Sequence, residues 1–85
     1  MSRLITSAER IQKANHLIKQ AYQVLVPETG GKYDFSYIAR VKDLLQQARD
    51  LVKFIPKTPT ATEEMKDQVR QIMAAADQAN RDILH

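Results

Sequence analysis

Gly30-Gly31-Lys32 is the first arrangement in this 85-residue chain whose residue types could do chemistry. A phosphate-binding loop presents its backbone N–H groups from the pattern G-x-x-x-x-G-K-[ST], set between a strand and a helix. Here the leading glycine is absent, Tyr33 stands where a hydroxyl residue belongs, and no strand-like run precedes the pair. The glycines read instead as an interhelical loop. Of the two histidines, His16 has neither a histidine nor a carboxylate four residues away to share a metal, and it projects from the polar side of its helix. His85 is the last residue. Glu63, Glu64 and Asp67 gather where the positive end of a helix dipole is reason enough for them. A di-metal bundle needs inward glutamates and Glu-x-x-His motifs, and the chain has none. The few serines have no histidine or acid at helical spacing, so a nucleophile–base pair has no support. The expectation is a non-enzymatic chain with no catalytic, cofactor-binding or metal-binding residues and no evident small-molecule substrate.

Two surface patterns remain. Lys42, Gln46, Arg49 and Lys53 lie on one line of a helix beside its apolar stripe, and Arg10 and Lys13 lie near the edge of another stripe. Such a row could contact phosphates, with binding that weakens as salt rises. Asp43 and Asp50 flank it, however, and no aromatic residues interleave it. Stems that cover the core edge while their charged heads face the acids of the last helix are the simpler account. The second pattern is apolar: Tyr37, Leu44, Leu51 and Phe54 run beside the main stripe of the second helix, with Leu17 and Val24 on the first. A helix that meets two neighbours needs a wide stripe, so most of this line belongs to the core. Phe54 lies furthest round. Whatever part stays exposed is a groove for a partner helix or a face for self-association.

The elements that must position these residues are helices. Thr6 and Glu9 have capping-box spacing, and Ile11, Ala14, Ile18, Ala21 and Leu25 then recur every three or four residues. Pro27 restrains Val26 and stops this helix, predicted over 7–25. A second, over 35–55, can be N-capped by Asp34 or Ser36. It carries Ile38, Val41, Leu45, Ala48, Val52 and Ile55 on its stripe and ends at Pro56. A third, over 61–84, opens after Thr60, which has capping-box spacing to Glu63, and carries Met65, Val69, Ile72, Ala76, Ala79 and Ile83. Nothing alternates with the period of a strand. Short links between three such helices predict an all-α, antiparallel up-down-up three-helix bundle in one domain. That layout, with its alanine-containing last helix, is broadly similar to microtubule-interacting modules of trafficking proteins, which bind amphipathic peptides between helices. The likeness lies in layout and rests on no shared motif.

Composition agrees with a small globular domain: 44% hydrophobic, 27% charged and only 6% aromatic, so aliphatic residues and alanine do the packing. With no cysteine there is no disulfide framework and no thiolate metal site. No run approaches the roughly 20 apolar residues of a membrane span. The N-terminus lacks the apolar core of a secretory signal, and a cytoplasmic setting is expected. Residues 1–60 hold ten Lys/Arg and five Asp/Glu, and residues 61–85 hold three and five, which sets a slightly acidic last helix beside two basic ones. The expected function is a protein-interaction or adaptor module acting on a protein partner or a second copy through Tyr37, Leu44, Leu51 and Phe54. The alternative is a weak nucleic-acid or anionic-surface binder using Arg10, Lys13, Lys42, Arg49 and Lys53.

Overall fold

The computed structural model describes residues 6–84, so the readings of the N-terminal five residues and of His85 lie outside the described residues. Three α-helices and no strand occur among them: α1 (Ser7–Gln23), α2 (Phe35–Val52) and α3 (Glu63–Leu84), with 3-10 turns at Gly31–Tyr33 and Ile55–Lys57. The chain has an all-α three-helix fold.

Each helix starts on a side-chain cap, which satisfies a backbone donor that has no partner inside the helix. Thr6 Oγ1 accepts from the Glu9 N–H at 3.2 Å, and Asp34 Oδ1 accepts from the Tyr37 N–H at 3.0 Å. For α3 the cap is Thr62, whose Oγ1 accepts from the Met65 N–H at 3.1 Å. That corrects the expectation of Thr60. Pro59 and Thr60 form the middle of a turn closed by the Ala61 N–H on the Thr58 carbonyl at 3.2 Å, so Thr60 has no helix to cap.

Two helix ends also fall earlier than expected. The chain leaves α1 at Val24, which has extended backbone (ψ 125), so Leu25 is outside the helix and 89% exposed instead of lying in the core. A helix carried on to Pro27 would drive the proline ring against the Gln23 carbonyl, and the residue before proline disfavours helical angles. At the far end of α2, Pro56 has no N–H for the carbonyl of Val52. The backbone tightens after Lys53 into the 3-10 turn, where the Lys57 N–H bonds the Phe54 carbonyl at 3.1 Å. Gly30 and Gly31 both take positive φ (85° and 53°) between α1 and α2, a conformation that L side chains adopt at a cost.

The core is one cluster fed by all three helices. Ile11, Ala14, Ile18 and Ala21 come from α1; Tyr37, Val41, Leu45, Ala48 and Val52 from α2; Ile55 from the 3-10 turn; and Val69, Ile72, Ala76 and Ala79 from α3. An essentially fully buried alanine stands in every helix, as Ala14, Ala48 and Ala76, and lets the backbones approach closely. No buried side-chain nitrogen or oxygen among the described residues lacks a partner. Three contacts tie the helices together. Arg10 at the start of α1 donates to the Leu51 carbonyl near the end of α2 at 3.4 Å. Tyr22 near the end of α1 donates to Asp82 near the end of α3 at 2.9 Å, and Arg49 of α2 bonds Asp77 of α3 at 2.8 Å.

Candidate functional site

The helical period that buries Ile11, Ala14, Ile18 and Ala21 leaves Arg10, Lys13, Leu17 and Gln20 along one edge of α1, with Val24 at its end. On α2 the same arithmetic leaves Arg40, Leu44, Gln47 and Leu51 along one edge, with Phe54 just beyond the helix end. These two edges meet. An open cleft of about 550 Å³ is lined by Arg10, Lys13, His16 and Leu17 from α1 and by Gln47, Asp50 and Leu51 from α2. Further along the pair, a cleft of about 510 Å³ lies between Gln20, Gln23, Val24 and Leu25 and, on α2, Arg40 and Leu44. In the other direction a smaller hollow of about 200 Å³ shares Arg10, Asp50 and Leu51 with the first and reaches Phe54 and Thr58. The three follow one another along a single seam, and no α3 residue lines any of them.

The floor of this seam is apolar. Leu17, Val24, Leu44 and Leu51 are partly buried, packed on the core from below and open to water above. The apolar line expected on α2 therefore divides. Tyr37 turns inward and is 6% exposed, so it belongs to the core and is withdrawn from a partner. Leu44 and Leu51 are half-buried in the seam floor. Phe54 is 61% exposed at its end, with Lys53 Nζ and Lys57 Nζ lying 5.1 Å and 5.8 Å from its ring centroid.

The basic row divides as well. Arg49 faces α3 and pairs with Asp77. Lys53 pairs with Asp50 at 3.2 Å, and Lys42 is exposed on the far side of α2 from Leu44. Only Arg10 and Lys13 of the five lie on the seam, and they are joined there by Arg40 and His16. Asp50 is the one carboxylate among the lining residues. It accepts from Gln46 Nε2 at 2.9 Å, and that amide together with the Lys53 ammonium holds its carboxyl below the usual carboxylate range. On the opposite side, partial burial and then the neighbouring Asp82 carboxylate push the Tyr22 phenol up.

Leu25, Arg40 and His16 are lining residues that the sequence reading missed as site residues. Leu25 continues the spacing of the α1 stripe and so reads as core in the sequence. Arg40 carried a signal, since it precedes Leu44 by four residues on the same edge. A further apolar set surrounds the α1–α2 loop, where Val26, Tyr33 and Phe35 are all exposed. Among the described residues no group of three or more histidine, aspartate or glutamate side chains could hold a metal ion, and no helix is long and apolar enough to cross a membrane. No family model, characterised protein or solved structure matches the chain.

Proposed function

We propose that this chain is a non-enzymatic protein-interaction module that takes a partner helix into the α1–α2 seam, with its own helices in the up-down-up order that the Arg10–Leu51 and Tyr22–Asp82 contacts support. One observation carries the reading. Leu17, Val24, Leu44 and Leu51 form an apolar floor on the side of the α1–α2 pair away from α3, and no other part of the described chain lines the clefts above it. Four partly buried aliphatic side chains, two from each side of one seam and extended by Phe54, make the kind of contiguous surface that soluble domains reserve for binding. The seam is a groove between two helices, and an amphipathic helix lays residues at i, i+3 or i+4 and i+7 into such a groove. From Ser7 to Val24 it offers about 26 Å at about 1.5 Å per residue, the length of nearly five helical turns.

The test is a titration of the isotope-labelled protein with an uncharged amphipathic peptide of about 18 residues bearing leucines at that spacing. Amide shifts should concentrate at Leu17, Val24, Leu44 and Leu51, and Leu44→Asp with Leu51→Asp should abolish them while leaving the helical circular dichroism in place. Shifts spread over α3, or unaffected by those substitutions, would refute the site.

A further inference from the structure

We infer that the occupant of the α1–α2 seam is an acidic amphipathic helix, an inference that rests on the protein-interaction reading above and adds the chemistry of the partner. The molecule already contains one helix seated on the α1–α2 pair, and it shows the rule by which that seating is recognised. On the covered side, α3 buries Val69, Ile72, Ala76 and Ala79, and its carboxylates meet donors on the pair: Asp77 takes Arg49, and Asp82 takes the Tyr22 hydroxyl. On the open side the apolar floor and the donors are present, but no carboxylate of a covering helix meets them. Arg10, Lys13, His16 and Arg40 line the clefts, and among the described residues none of the four is in an ion pair. Arg10 bonds the Leu51 carbonyl through Nη1 alone, which holds its stem beside Leu51 and leaves the rest of a five-donor guanidinium to an acceptor. Asp50, the only acid in the lining, is already held by Gln46 and Lys53.

These donors are placed diagonally. Arg10, Lys13 and His16 stand on the α1 wall at the level of Gln47 and Leu51, whereas Arg40 stands on the α2 wall at the level of Gln20 and Val24. These levels lie about ten residues apart on α1, or about 15 Å. A complementary helix therefore carries leucine-like residues at i, i+3 or i+4 and i+7. Its acids form two groups on opposite flanks, about ten residues apart. A basic or uncharged helix could fill the floor but would leave Arg10, Lys13 and Arg40 facing like charge or nothing, and complementary potentials govern the choice among partners that share an apolar face.

Three peptides of about 18 residues with one leucine pattern and glutamate, glutamine or lysine at the flanking positions separate the possibilities by fluorescence anisotropy at low salt. The glutamate peptide should bind roughly tenfold tighter than the glutamine peptide, because two or three rim pairs each contribute a few-fold. The lysine peptide should bind weakest, and the glutamate advantage should shrink as salt is raised. Arg10→Glu, Lys13→Glu and Arg40→Glu together should reverse the order of the charged peptides with helicity unchanged. Equal binding of all three would overturn the acidic occupant and leave the groove reading standing. No binding by any of them would remove both. A dimer in sedimentation that dissociates on Leu44→Asp would assign the seam to a second copy of the chain and overturn the inference.

Discussion

Leu44 and Leu45 are adjacent leucines on α2 with different surroundings, and substituting each by alanine measures whether the seam is open in solution. Leu45 is 1% exposed at the centre of the core, whereas Leu44 lies in the seam floor with one side to water. Removing three carbons from Leu45 forfeits about 2.4 kcal/mol at about 0.8 kcal/mol per buried methylene. The enclosed cavity raises the cost to about 3–4 kcal/mol. The same change at Leu44, which is mostly but not fully buried, loses roughly two thirds or more of the transfer free energy and leaves a dent instead of a cavity, about 1.5–2 kcal/mol. An 85-residue domain holds about 4–13 kcal/mol in all, so Leu45→Ala consumes a large part of it. Urea unfolding followed by far-ultraviolet circular dichroism reads the difference. With a slope of about 1 kcal/mol/M, the midpoint should fall by about 3–4 M for Leu45→Ala and about 1.5–2 M for Leu44→Ala. Equal losses would refute the reasoning, since they would mean that Leu44 is sealed from water. Repeating the series at two protein concentrations identifies the cause, because a seal made by a second copy strengthens with concentration.

Thr62→Ala should lower stability by about 1 kcal/mol through loss of the α3 cap, while Thr60→Ala should change it little; thermal melts of the two variants check the corrected helix start. Gly30→Ala should cost about 1 kcal/mol by forcing a β-carbon into φ 85°, even though its nearest neighbour, the Asp34 β-carbon, is at an ordinary 3.5 Å. The Tyr22 phenol titrates above its ordinary value near 10, so its bond to Asp82 supports the fold at all lower pH and is lost as pH climbs through the raised value. An ultraviolet absorbance titration of Tyr22→Phe should lack a late-ionising component that the parent shows, and the stability of that variant should fall less steeply in the alkaline range than that of the parent.

The core of all three helices was legible because periodicity alone decides which side of a helix is apolar. Ile11, Ala14, Ile18, Ala21, Val41, Leu45, Ala48, Val52, Ile55, Val69, Ile72, Ala76 and Ala79 are buried where their spacing puts them. The misses have local causes that a stripe cannot express. Leu25 continues the spacing of Ala21, but spacing says nothing about where the backbone leaves the helix, and Val24 leaves it first. Tyr37 and Ile38 lie four and three residues before Val41, so either could open the α2 stripe; the tyrosine ring takes the inner place and Ile38 the half-buried one. Thr60 and Thr62 both precede acids, and the turn through Pro59 chooses between them.

The candidate site was legible as a surplus and not as a place. The stripes of α1 and α2 are wider than one neighbour needs, and sequence alone cannot say which edge of each the third helix will use. Two polar contacts settle it. Arg49 stands on one edge of α2 and reaches Asp77, and Tyr22 stands on the corresponding edge of α1 and reaches Asp82, so α3 lies along those edges. The other edges, Leu17 with Val24 and Leu44 with Leu51, are then left facing each other across an open seam. The same choice sorts the charges. Arg49 reads in the sequence as one of a row with Lys42 and Lys53, yet it is committed to α3, while Arg10, Lys13 and Arg40, which form no row in the sequence, come together on the free side. Where α3 sits decides both which leucines remain exposed and which cations remain unpaired, and these two consequences fall on the same groove.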